Sequence, residues 1–513
     1  MPNFKIPAFG EGVCYENQEN ATARVWSIEQ ASQLFEAYGT LLSEQGYEQR
    51  EGRTCGENRY AAWQKGSEGV FINAYGATDE LRIVSESTCR YFDFSDRAGK
   101  EIFAPQITQV KLDDYGMSYV IRLADGRFIL IDGGFIYDSD ADALHETLMA
   151  QAEGAQPVIA AWILTHQHED HFHCFLRFME KYEGEVQIEK FLFNFPAPDD
   201  FSHYPELARD NAKLPDSRAV LRIPQLLAWI KKLGAPVFTP HTGQKYEIGE
   251  AKIEVLSCMD DTIHQTQNGN ATSLVLRMEL GGQVILWTAD AGCSYARLDE
   301  RYGAYLKADI LQIPHHGFQS GKAEAEIRTY KLCDPKVCLL PASRHVAYTF
   351  FCLFREGTRH LMCSDRVEEL IDGDEQRTLV LPYTARPGSF AERCRLIELG
   401  LENNGARCFV FAGLHTANAE DLCFTLLNMT VLPVSVRVEL YFEDKHLAIR
   451  AGRAEVGGSS LKICHLTGGE NGVLPEGKSL PENAPFAVRF LCDVPIVVAH
   501  KTHKAAYHSA KGI

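Results

Sequence analysis

Seven apolar residues, Val158–Leu164, run without interruption into Thr165-His166-Gln167-His168-Glu169-Asp170-His171. A run this short and this apolar fits a strand buried on both faces, which requires a layered α/β arrangement that covers both sides. The strand then ends in a knot of imidazoles and carboxylates, where a loop can turn alternate side chains toward one point. His166 and His168 can grip one ion in this way while Asp170 and His171 reach a second beside it. Imidazole with carboxylate suits zinc, manganese or iron, and the absence of cysteine from the segment argues against a closed structural zinc site.

The surrounding pattern divides the 513 residues into three expected parts, an α+β multidomain chain. Residues 1–105 read as a small α+β unit: a capping-box start at Ser27–Gln30, a helix that Gly46 stops, and strands at 59–64, 69–75 and 81–85. No chemistry is visible in it. Residues 106–385 alternate strands with amphipathic helices expected near 141–152, 172–182, 219–232 and 322–332, and Asp125-Gly126 signals a hairpin between strands at 119–123 and 128–131. Residues 386–513 open with a helix near 390–401 and continue as spaced strands, a β-sandwich pattern.

Two further strand ends within 106–385 bear ligand-type residues. Val284–Thr288 leads into Ala289-Asp290-Ala291, and Ile310–Pro314 leads into His315-His316-Gly317. Each is weak alone, since Asp290 by itself is an ordinary loop cap. At successive strand ends they read as one site.

In order, Asp132-Gly133-Gly134, the HxHxDH at 166–171, Asn270-x-x-Ser273, Asp290 and His315-His316-Gly317 resemble the metallo-β-lactamase-fold hydrolases, a central αβ/βα four-layer fold. The HHG form is similar to the branch that holds competence-type DNA-uptake hydrolase domains and phosphorylcholine esterases. The resemblance implies His166 and His168 on a first metal, Asp170 and His171 on a second, and Asp290 bridging both. One of His315 and His316 completes the second site while the other orients it. The first site's third histidine falls where His264 stands, although this branch can lack it; His241 suits a turn better. Asp132 and Asn270 support the ligands from behind. Two divalent cations are implied, zinc first, with manganese or iron as alternatives, and Asp170 is the group that orients the attacking water and accepts its proton.

Residues 405–505 are similar to the sensory-rhodopsin-transducer family of β-sandwich proteins, on Glu420–Asn428, Val438–Asp444 and Phe486–His500. Such a module implies ligand binding or homo-oligomerisation rather than catalysis. Other histidines carry blander readings. His173 and Cys174 pack in a helix, Arg344 and His345 lie in a surface loop, and His500, His503 and His508 belong to the β domain.

Lys and Arg total 51 against 69 for Asp and Glu, a net charge of −18, and no basic stripe flanks the motifs. That field disfavours bulk nucleic acid and favours a small-molecule substrate. No apolar run approaches the ~20 residues of a membrane span, and no secretory leader is evident. With 15 scattered cysteines and no CxxC pair, reduced thiols and a cytoplasmic location are expected. The leading expectation is a dinuclear-metal-dependent hydrolase of a small phosphodiester, phosphoester or carboxylic ester. The alternatives are a binding or sensory protein with a vestigial metal site, and an oxygen-using iron oxidoreductase of the same fold.

Overall fold

A computed structural model describes residues 13–14, 21–26, 31–112, 116–196, 219–266, 268–291, 293–317, 323–341, 368–370, 377–383, 408–428, 434–442, 445–457, 460–467, 472–474, 480–492 and 496–500. The chain forms two compact units, one built from residues 1–347 with 356–386 and the other from 348–355 with 387–513.

In the first unit the apolar run becomes the strand Val158–Ile163, central in an eight-stranded sheet. It pairs in parallel with Phe128–Asp132 on one side and Phe191–Leu192 on the other. A hairpin, Ser118–Arg122 with Phe128–Asp132, turns through Asp125-Gly126. The second sheet has seven strands, from Lys245–Ile248 through Ala251–Ser257, Val275–Leu280, Gln283–Trp287, Ile310–Gln312 and Val337–Leu339 to Glu368–Leu370. The two sheets share one apolar core, and the rings of Tyr119 and Trp287 meet across it with centroids 4.9 Å apart. Burying a side chain of this kind stabilises the fold by about 2–3 kcal/mol. The helices Asp138–Gln151, Glu169–Tyr182 and Ala219–Leu233 add Leu144, Phe175 and Leu226 to the same core. Strands Phe128–Asp132 and Val158–Ile163 run in parallel, as do Gln283–Trp287 and Ile310–Gln312, so each pair opens its loops at one end.

Residues 13–86 make a separate six-stranded antiparallel sheet, packed by the helix Ala31–Glu44 through Phe35, Tyr38 and Leu42. Three of its strands, Val13–Cys14, Ala21–Trp26 and Glu48–Cys55, are additions to the sequence expectation. Glu48–Cys55 is a sheet-edge strand of mostly exposed polar residues, so its sequence EQREGRTC has no apolar alternation to read.

The second unit is a β-sandwich. A four-stranded sheet, Cys408–His415, Pro485–Leu491, Val434–Phe442 and Lys445–Val456, shares a core with the three strands Ser460–His465, Cys423–Asn428 and Val497–His500. Lys445–Val456 was not expected from sequence, because its charged and glycine residues mask the strand pattern. The helix expected near 390–401 lies outside the described residues. Among the described residues no helix is long and apolar enough to cross a membrane, and the cysteines are free thiols, nearly all buried.

One polar hub ties loop 96 to the first sheet. Asp96 accepts from Arg127 Nη1 at 3.0 Å and Nη2 at 2.9 Å, from Lys190 Nζ at 2.8 Å and from the Gly249 N–H at 2.6 Å. Burial opposes its ionisation, but the Arg127 and Lys190 hydrogen bonds outweigh that and hold its carboxyl well below the usual range. The folded pKa lies below the unfolded value of about 3.9, so this stabilisation is complete above that value and is lost as pH falls beneath it. Asp96→Asn is expected to cost about 3 kcal/mol at neutral pH, and the difference from wild type should shrink in denaturant titrations carried into acid.

Candidate metal centre

The site assembles where the strand ends of the two sheets meet. Asp132 closes Phe128–Asp132 in a left-handed backbone conformation (φ 55°), and its buried carboxylate is the hinge of the arrangement. Its Oδ1 accepts the Thr165 N–H at 2.7 Å, while Oδ2 accepts Thr165 Oγ1 at 2.6 Å and His171 Nδ1–H at 2.7 Å. This sets the His171 tautomer and presents Nε2 inward. The Gly133 N–H also donates to the His171 carbonyl at 2.8 Å.

Four buried groups converge there. His171 Nε2 lies 3.3 Å from Asp290 Oδ2 and 3.7 Å from Asp170 Oδ2. His316 Nε2 lies 2.9 Å from Asp170 Oδ2 and 3.3 Å from Asp290 Oδ2. The two imidazoles approach each other, Nε2 to Nε2, at 3.2 Å. One ligand atom from each of Asp170, His171, Asp290 and His316 lies within 4.8 Å of the others. His316 is oriented by Nδ1–H donating to the Pro341 carbonyl at 2.7 Å.

His166 stands beside this group, with its ring centroid 4.0 Å from that of His171 and Nε2 3.9 Å from Asp290 Oδ2. Its ring centroid is 4.7 Å from that of His168. Gly269 leaves room for the His168 ring, since a Cβ there would fall 2.3 Å from His168 Nε2 and would displace it. His315 faces the rim, its Nε2 accepting from Asn270 Nδ2 at 3.0 Å and 4.0 Å from Asp290 Oδ2. His264 lies in the helix Met259–Thr266, but its side chain is outside the described residues, as are Arg344, His345, His503 and His508. His173 and Cys174 are fully buried; Cys174 packs against Gly133, and neither ring nitrogen of His173 has a hydrogen-bond partner.

The electrostatics ask for a cation. Burial disfavours charge on His171 and His316, yet Asp290 and Asp170 overcome it, holding His171 well above the ordinary imidazole range and raising His316 to about 10. The carboxylates thus draw positive charge into a buried space, and a divalent ion would meet the same demand. His166 Nε2 and Asp290 Oδ1 are buried with no hydrogen-bond partner, which a bound ion would supply. The residues present therefore fit a metal centre.

Several supporting residues carried no sequence signal. Gln312 Oε1 accepts the N–H groups of Thr288 at 2.9 Å and Ala289 at 2.6 Å, fixing the approach to Asp290. Ala289, His315 and His316 all have positive φ, as Asp132 does. Strain of ~1–3 kcal/mol per residue, gathered at successive strand ends, marks a site the rest of the fold must hold. A second cluster, His241, Cys258 and Asp260, is also metal-like in composition. There, however, both ring nitrogens of His241 face carboxylates, Asp260 through Nδ1 and Glu86 through Nε2 at 2.7 Å, so hydrogen bonding already satisfies it.

Residues 113–339 match the family model described as the metallo-β-lactamase superfamily, and that span supplies the cluster of Asp170, His171, Asp290 and His316. Residues 414–510 match the family described as Anabaena sensory rhodopsin transducer. Among solved structures, Igni18, a metallo hydrolase from Ignicoccus hospitalis, is 14% identical over 53% of this chain and 98% of its own, with a TM-score of 0.31. The short form of human tRNase Z is 15% identical over 54% of this chain and 99% of its own, with a TM-score of 0.29. The Anabaena sensory rhodopsin transducer is 22% identical over 19% of this chain and 81% of its own, with a TM-score of 0.16. No curated protein matches the chain.

Asp132→Ala would strip the buried Thr165 N–H and His171 Nδ1–H of their acceptor. It is expected to lower unfolding free energy by about 3 kcal/mol, measured by urea denaturation of the metal-free protein.

Proposed function

We propose that residues 106–385 form a hydrolase that works with two divalent cations, zinc foremost, on a small phosphodiester, phosphoester or carboxylic ester. The observation that carries this reading is the meeting of His171 Nε2 and His316 Nε2 at 3.2 Å, each 3.3 Å from Asp290 Oδ2. Without an ion one of the two rings must be an imidazolium that donates to the other, whereas a cation among them would take both imidazole lone pairs together with the Asp170 and Asp290 carboxylates. His166, His168 and Asp290 would hold one ion, with His264 as a candidate third imidazole. Asp170, His171, His316 and Asp290 would hold the other. When bound, such a pair of ions lowers the pKa of water and stabilises negative charge on the attacked oxygen.

The chain's own groups do the rest. Asp170 is kept ionised despite burial by His171 and His316, and it is the carboxylate we assign to orient the attacking water and accept its proton. Asp132 keeps His171 in the ligating tautomer. Asn270 holds His315 at the rim of the site. The net charge of −18 supports a small substrate over bulk nucleic acid. The transducer-type match at 414–510 supports homo-oligomerisation through the β domain, to be read as the mass by light scattering at micromolar concentration.

Elemental analysis of the purified protein should find up to two equivalents of metal. A screen of p-nitrophenyl phosphodiesters, lactones and thioesters should find an activity that Asp290→Ala lowers at least about 100-fold. A metal-free wild type that equals Asp290→Ala on every substrate would end the hydrolase reading.

A further inference from the structure

The first unit contains a buried seam of charge far larger than packing a small sheet requires. It runs between the strands Glu68–Tyr75 and Glu80–Glu86 and the helix Met259–Thr266. Arg82, 2% exposed, pairs with the fully buried Asp261, which also takes Arg301 Nη1 at 3.3 Å. Asp261 Oδ2 accepts Thr242 Oγ1 at 2.6 Å and the Cys258 N–H at 2.9 Å. The neighbouring Asp260 takes His241 Nδ1–H, and His241 Nε2–H reaches back to Glu86 Oε1 at 2.7 Å. Glu80 closes the seam against Arg297 at 2.6 Å and Arg301 at 3.2 Å. Four carboxylates, Glu80, Glu86, Asp260 and Asp261, therefore face the guanidiniums of Arg82, Arg297 and Arg301 and the imidazole of His241, and Arg297 also pairs with Glu300 at the seam's exposed end. Buried ion pairs cost desolvation and seldom add stability over apolar packing, so a seam of this size is better explained by what it positions.

What it positions is the helix Met259–Thr266, and the far side of that helix leads to the metal centre. Thr262 Oγ1 donates to the Ala271 carbonyl at 2.6 Å. From the same loop, Thr272 Oγ1 donates to the Gly269 carbonyl at 2.6 Å and lies 2.9 Å from Gln167 Oε1. The Leu274 N–H donates to the Thr165 carbonyl at 2.9 Å. Gly269, as noted above, is the surface against which His168 rests. Polar contacts, joined by the adjacent backbone pairs Asp261-Thr262 and Ala271-Thr272, thus lead from Arg82 and His241 to the segment that carries His166 and His168.

We propose that the sheet of residues 13–86 is a working part of the hydrolase, in which Arg82 and His241 are positioning residues. By clamping the Met259–Thr266 helix they set the Gly269–Thr272 loop against Gln167 and His168, and so hold the His166–His168 pair in ligating geometry. This rests on the hydrolase reading above. It makes one metal subsite depend on a sheet that contributes no ligand, while His171 and His316 are oriented by Asp132 and the Pro341 carbonyl.

The test is zinc titration of the full-length protein against a chromophoric chelator, with thermal unfolding in parallel. Wild type should bind two equivalents of unequal affinity. Arg82→Met and Thr262→Val should each weaken the same single equivalent about tenfold and leave the other unchanged. Asp96→Asn, destabilised at a hub whose partners Arg127, Lys190 and Gly249 lie outside the Gly269–Thr272 loop and the Met259–Thr266 helix, should keep both affinities. Folded Arg82→Met and Thr262→Val proteins that bind both equivalents as wild type does, or an Asp96→Asn protein that shows the same loss, would overturn the proposal. If Arg82→Met does not fold, the near-isosteric Thr262→Val decides alone. A wild type that binds no zinc would instead remove the hydrolase reading itself.

Discussion

The carboxylate of Asp132 is fully buried and finds its hydrogen bonds within the protein. It does so by joining Phe128–Asp132 to the end of Val158–Ile163, through Thr165, and to the first turn of Glu169–Tyr182, through His171. The rest of the centre depends on that junction. With Nδ1 of His171 committed, only Nε2 is left to face Asp170, Asp290 and His316. The left-handed backbone at Asp132 persists because three hydrogen bonds and a packed core over-determine it.

The second sheet approaches from the other side under the same constraint. Gln312 spans the ends of Gln283–Trp287 and Ile310–Gln312, so Asp290 and the two histidines at 315 and 316 arrive from rigid strands rather than from a free loop. A site made this way shares its ligands between two sheets and is held to the tolerance of their packing. The Tyr119–Trp287 contact and the shared core therefore belong to the chemistry as much as to stability. The N-terminal sheet extends this logic, since its buried charges meet the one helix whose following loop touches His168.

Much of this was open to reading because apolar strands ending in ligand-type residues leave a strong linear signal. Val158–Ile163, Gln283–Trp287 and Ile310–Gln312 lie close to where hydrophobic pattern puts them, and the hairpin at Asp125-Gly126 follows from turn chemistry. Polar strands at a sheet edge escape such reading, as Glu48–Cys55 does, because one face meets water and the pattern that burial imposes is gone. The supporting residues escape it for a different reason. Gln312, Thr272 and Gly269 are ordinary residue types, and their roles exist only through partners 24, 105 or 101 positions away in the chain. Nothing local distinguishes Gln312 from any buried glutamine.

Sequence alone determined the class of fold, the order of the strand ends and the residue types they carry, because burial of alternating or continuous apolar side chains is a local, one-dimensional requirement. It also put two histidines side by side at 315 and 316 with no means of choosing between them. Tertiary structure decided that choice of direction. Both residues adopt left-handed backbone, and this turns His316 inward onto Asp170 and Asp290 while His315 faces Asn270 at the rim. The same holds for the 13–86 sheet, which in sequence is a small unit without chemistry and in space is clamped to the helix behind the metal loop. The physical reason is common to both: where a polar group must find its partner inside a protein, that partner is set by the meeting of distant segments, and no local pattern records it.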